Sequence, residues 1–121
     1  MPTINGTVTA PQPFVTFSKP GNKSGLSVQQ GTTQVVDFTP AYKNNGNVAG
    51  DLTVSVAASN GVTVDSMILG GATGTTSATQ ANIAPGSQVY LQVTFTAPTL
   101  TVGDEDVVFD IDITESWVLS A

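Results

Sequence analysis

The carboxylates are the side chains of this sequence best placed to do chemistry. Asp104, Glu105 and Asp106 are consecutive, and Asp110 and Asp112 follow closely. On a strand, Asp106, Asp110 and Asp112 share one face, because side chains alternate with period two. Carboxylate oxygens suit Ca²⁺, which takes roughly six to eight oxygen ligands. The spacing lacks the glycine-centred run of ligands of a helix–loop–helix calcium loop. No metal site is therefore assigned, and calcium at Asp104, Asp106, Asp110 and Asp112 stays open. The plainer readings are an acidic edge that discourages strand-to-strand aggregation and a patch that meets a basic partner. A glycosidase-type carboxylate pair needs a cleft, and this segment offers no aromatic sugar platform.

Other reactive groups are missing. The 121 residues include no cysteine, no histidine and no arginine. Thiolate nucleophiles, imidazole bases and Cys/His zinc sites are thereby excluded. No Gly-x-Ser-x-Gly nucleophile elbow occurs, and Gly70–Gly74 lacks the lysine of a phosphate-binding loop. The expectation is a protein without catalytic residues and without a cofactor. Three lysines against nine carboxylates give a net charge of -6, which argues against nucleic acid as a partner. The first residues carry no basic and apolar signal segment. No apolar run is long enough for a membrane helix, so no membrane partner is expected.

What remains is binding or assembly, and the apolar and aromatic residues are its candidates. Phe14, Phe17, Trp117 and Leu119 are the anchors expected at an interface. Lys19 and Lys23 sit in a turn-rich loop, Lys19 to Gly25, and face an acidic neighbour in this reading; Lys43 is secondary. Tyr90 lies between Gln88 and Gln92 on the polar phase of its strand, placed to stack on a sugar or a partner side chain.

The elements that must hold these residues are strands. Only 10% of residues are charged, against about 25% in an average soluble domain. Threonine and valine dominate, and both favour strands. Leu52, Val54 and Val56 alternate with polar residues, as do Val89, Leu91, Val93 and Phe95, and Val107, Phe109, Ile111 and Ile113. Asn44-Asn45-Gly46-Asn47 predicts a type I′ hairpin. Ser59-Asn60-Gly61 and Ala84-Pro85-Gly86-Ser87 predict further turns. Residues 70–80 are almost all Gly, Ala, Thr and Ser, and they are expected to form a mobile loop, or one fixed only when a partner covers it. No window shows a helical period. The chain divides into residues 1–31, a proline-punctuated arm with short strands, and residues 32–121, a β-sandwich; a jelly roll is the alternative.

Several stretches together resemble a known family. They are Val35 to Asn47, Val48 to Val56, Gly61-Val62-Thr63-Val64, and Ile83 to Phe95 with its Ile-Ala-Pro-Gly turn. This pattern is similar to the immunoglobulin-like repeat modules of bacterial and archaeal surface proteins, which implies an immunoglobulin-like β-sandwich. A single such domain with an arm looks like the small decoration, or cement, proteins of tailed-bacteriophage capsids. That resemblance implies a virion structural protein on the capsid surface. It would be trimeric and bind the major capsid protein or another virion protein. The alternatives are an extracellular adhesion or spacer module and a carbohydrate- or calcium-binding module.

Overall fold

The computed structural model describes residues 1–121, and all regular structure in it is β. In chain order the strands are β1 (Phe17–Ser18), β2 (Thr33–Asp37), β3 (Tyr42–Asn44), β4 (Gly50–Ala58) and β5 (Thr63–Leu69). They continue with β6 (Ala72–Gly74), β7 (Ser77–Ile83), β8 (Gln88–Val89), β9 (Leu91–Thr96) and β10 (Ile111–Leu119). They form three antiparallel sheets, ordered β1-β3-β8, β10-β4-β7 and β2-β9-β5-β6.

The alternating patterns decide which faces turn inward. Leu52, Val54 and Val56 of β4 meet Val64, Met67 and Leu69 of β5 and Leu91 and Val93 of β9 in one buried cluster. Two sheets thus enclose the core, a β-sandwich arrangement. Rows of hydroxyls cross the middle of the first sheet's outer face, between the Asp112–Ala57 and Val118–Asp51 pairs. Ser116 and Thr79 flank Thr53 across β10, β4 and β7, and Thr114 and Ser77 flank Ser55. The Thr53 and Thr79 hydroxyls are 2.8 Å apart, and Ser55 donates to Ser77 at 3.2 Å. Cross-strand pairs of this kind stabilise a ladder without burying apolar surface.

Three expectations need correction. Residues 70–80 are not a loop: they hold β6 and the start of β7. β7 is held by its ladder to β4 and by Ala78 and Ile83, its only buried side chains. Small residues carry no apolar period, so the pattern missed a strand fixed through its backbone. The last strand begins at Ile111 and not near Val107. Its partner β4 ends at Ala58, opposite Ile111, so residues before it have no ladder to join. Finally, Asn45-Gly46 is not a type I′ turn. That turn needs positive φ at both central residues, which Asn60 (55°) and Gly61 (83°) have. Asn45 and Gly46 do not, and the strands they join, β3 and β4, lie in different sheets.

Candidate interaction surface

The Asn44–Asn47 turn holds the root of the arm. Asn45 N donates to the Thr16 carbonyl at 2.8 Å, and Asn47 N to the Phe14 carbonyl at 3.1 Å. The Asn47 side chain closes the grip from both ends: Oδ1 accepts from Phe14 N at 2.9 Å, and Nδ2 donates to the Gln12 carbonyl at 3.0 Å. Gly46 is needed here, because a Cβ would collide with the Phe14 carbonyl and Val15 Cα. Phe17 and Ser18 continue the pairing as β1 against Asn44 and Lys43.

Asn44 keeps this turn rigid. It is fully buried, yet every polar group of its side chain is used. Nδ2 donates to the carbonyls of Val48 (3.0 Å) and Ile83 (2.9 Å), and Oδ1 accepts from Gly46 N at 2.8 Å. Its backbone N and O pair with Ser87 and Gly86. The buried amide thus joins β3 to the segment before β4 and to the end of β7, and the Asn44 backbone joins it to the Ala84–Ser87 turn.

The neighbouring polar pair is Tyr42 and Glu115. Glu115 takes an inward position on β10 between Ile113 and Trp117. The buried Tyr42 hydroxyl donates to its carboxylate at 3.3 Å. Burial raises the Tyr42 pKa well above the ordinary tyrosine value, and the Glu115 charge and hydrogen bond push the same way.

Each of the two enclosing sheets has an edge strand that is paired on one side only. β2 is hydrogen-bonded only to β9, and β10 only to β4. Between these two free edges lies a cavity of about 740 Å³. Val36, Phe38 and Phe95 line one wall and Phe109, Ile111 and Ile113 the other. The Phe95 and Phe109 rings lie 5.5 Å apart. Residues 22–26 also line the cavity, but no backbone–backbone hydrogen bond involves residues 19–28.

The expected interface residues separate into two groups. Phe17 is buried and packs on Trp117 at 5.6 Å between ring centroids, so this pair joins the arm root to β10. Phe14, Lys19, Lys23, Tyr90 and Leu119 lie on the surface. Lys23 alone of the lysines borders the large cavity. Tyr90 stands over a second hollow of about 390 Å³, with Gln88, Gln92 and Asp37. There Gln92 Nε2 donates to Asp37 Oδ1 at 2.8 Å.

The carboxylates do not converge. No group of three or more forms a possible metal cage. Asp104 is engaged locally, accepting from Thr101 N at 2.8 Å. Asp51 sits away from them, held below the usual carboxylate range by hydrogen bonds from Ser120 Oγ (2.6 Å) and Asn82 N (3.0 Å).

Sequence reasoning missed Asn44, Glu115 and the cavity. The polar Glu115 at an apolar phase of β10 was a readable signal for the second. The chain matches no protein-family model, no curated protein and no solved structure.

Proposed function

We propose that this protein is a non-enzymatic structural subunit of a virion. It is a decoration protein with an immunoglobulin-like sandwich that binds the capsid surface and reinforces the lattice of the major capsid protein. The observation that carries the reading is the arm. Residues 1–13 are exposed, Ile4 and Val8 completely so at 101% and 99%, and the Gln12 carbonyl is the one group among them hydrogen-bonded to the body. The next five residues are bound to the Asn44–Asn47 turn and the core. A firmly rooted arm with bare apolar side chains is suited to bridging neighbouring proteins, and an extended segment can add a strand to a free sheet edge. Binding to the assembled state then stabilises it by mass action.

The reading is tested at the locus and on the particle. A gene for a major capsid protein is expected beside the gene for this chain. Capsids built from that protein are expected to bind this protein saturably and to disrupt at a higher temperature once bound. A locus with a cell-wall anchor and no capsid gene, or capsids whose melting does not move at saturation, refutes the proposal. A second reading, a carbohydrate-binding module, draws on Tyr90 and its amide neighbours over the smaller hollow. It requires a rise in melting temperature with oligosaccharide that Tyr90→Ala abolishes.

A further inference from the structure

We infer that the cavity between β2 and β10 is the acceptor for residues 3–10 of a second copy of this chain, which enters as an added strand. The reading holds whether or not the assembly decorates a capsid. Three observations carry it.

The first is the pattern of the arm. Ile4, Gly6, Val8 and Ala10 alternate with Thr3, Asn5, Thr7 and Thr9, and Pro2 and Pro11 bracket them. That is the period of a strand with one apolar face, bounded by residues that cannot donate to a ladder. No backbone–backbone hydrogen bond involves residues 1–13. No side chain from residue 2 to residue 18 is charged, so the entering strand brings no charge into a cavity whose own charged side chains are Lys23, Asp110 and Asp112.

The second is the fit of the acceptor. The cavity offers apolar walls and two strand edges, each with an unpaired row of backbone donors and acceptors. An eight-residue strand spans about 26 Å, enough to run the length of β2 with residues to spare. The entering strand would satisfy backbone groups on an edge while Ile4 and Val8 meet Phe38, Phe95 and Ile111.

The third observation concerns whether residues 3–10 of the same chain could be the donor. Going back from Phe17 towards the N-terminus, the arm passes Trp117, and Val15 then lies beside Gly50 and the Val118 carbonyl. It therefore leaves past the far end of β10. Ala10 lies two residues beyond the tethered Gln12, a reach of about 7 Å. Val118 to Ile113 is five residues along β10, about 17 Å in the opposite direction. With the chain's own arm, Ala10 and Val8 (about 14 Å) both fall short of Ile113 and only the Ile4 end could reach it, so a donor that seats the whole segment comes from another copy. Such a contact is heterologous: it closes into a ring or continues as a filament, and a trimeric ring is one closed form.

The test uses the full chain. Sedimentation equilibrium from micromolar to millimolar concentration is expected to show self-association. Val8→Asp is expected to weaken it at least about tenfold. At concentrations where both chains are monomeric the thermal melt should not move, because Val8 touches nothing in its own body. The natural chain has no cysteine, so thiols can be placed singly. Val8→Cys and Leu26→Cys chains, mixed and treated with a short bismaleimide, are expected to give a cross-linked pair of unlike chains. A wild-type chain that stays monomeric to millimolar concentration overturns the inference. Self-association that Val8→Asp leaves unchanged does so too. So does a doubly substituted chain that cross-links within itself at high dilution, since its own arm would then fill the cavity. None of these results bears on capsid binding, which has its own test.

Discussion

Replacing Asn44 by alanine tests the claim that one buried amide holds the turn and the arm root. The change strips a partner from two carbonyls and one backbone N–H. Ile83 is buried, so its carbonyl bears the full desolvation penalty, about 1–3 kcal/mol. Val48 and Gly46 are half-buried, where water replaces part of the loss, about 1 kcal/mol each. The sum is about 4 kcal/mol, a large share of a typical folding stability of about 5–15 kcal/mol. With a urea m-value of about 2 kcal/mol/M, the midpoint falls by about 2 M. Asn44→Asp separates hydrogen bonding from shape. A carboxylate keeps the bond from Gly46 N but turns an acceptor towards the Val48 and Ile83 carbonyls. It is expected to be more destabilising than alanine at neutral pH. The opposed carbonyls raise its folded pKa above the unfolded value. Its stability is therefore greatest at low pH and is lost as pH rises through the folded pKa. Urea melts of Asn44→Ala, Asn44→Asp and the exposed control Asn45→Ala decide the matter. The control should stay within about 0.5 kcal/mol of wild type. An alanine variant within about 1 kcal/mol of wild type refutes the reasoning. So does an aspartate variant more stable than alanine at neutral pH.

Two other outcomes follow from the same region. Gly46→Ala places a methyl group against the Phe14 carbonyl and Val15 Cα. Amide exchange at Phe14, Asn45 and Asn47 should accelerate while β4 and β9 stay protected; unchanged exchange at those three amides contradicts the grip. The folded-state pKa of Tyr42 lies above its ordinary value of 10.0. Its contribution is therefore intact below that pH and is lost as pH rises past it towards the folded pKa. In a Tyr90→Phe background Tyr42 is the only phenol. Its ultraviolet ionisation should coincide with unfolding seen by circular dichroism; ionisation of the native protein near pH 10.0 contradicts the burial argument.

The strands that alternate strongly were legible in the sequence. Leu52, Val54 and Val56, and Leu91, Val93 and Phe95, turn inward as their phase requires. β7 was hidden because its residues are small and its place is set by hydroxyls and backbone on β4. The Asn-Gly pair at 45–46 carries the same local signal as the pair at 60–61. Only the second becomes the expected turn, since at the first the arm claims the backbone donors. Tertiary contact overrode turn chemistry there, and nothing near residue 45 announces a partner at residues 12–16. Phe17 and Trp117 were readable as residues needing cover, but their pairing depends on how two chain ends meet. The cavity was invisible for the same reason: it belongs to no segment, only to the unpaired sides of two strands far apart in sequence.

The hydroxyl rows on β10, β4 and β7 have a colloidal consequence. Most proteins remain dispersed through charge and lose solubility near their isoelectric point. This sheet is wetted by threonine and serine side chains whose hydration does not depend on protonation. The hydroxyl rows hold their water as well near pH 4.1, the isoelectric point expected from the sequence, as at neutrality; of the face, only Asp51 and Asp112 at its margins change charge. The same layer resists face-to-face stacking in high salt, where charge repulsion is screened. Crowding many copies side by side would then leave this face lubricated by water, so attachment is left to the arm and the open edges.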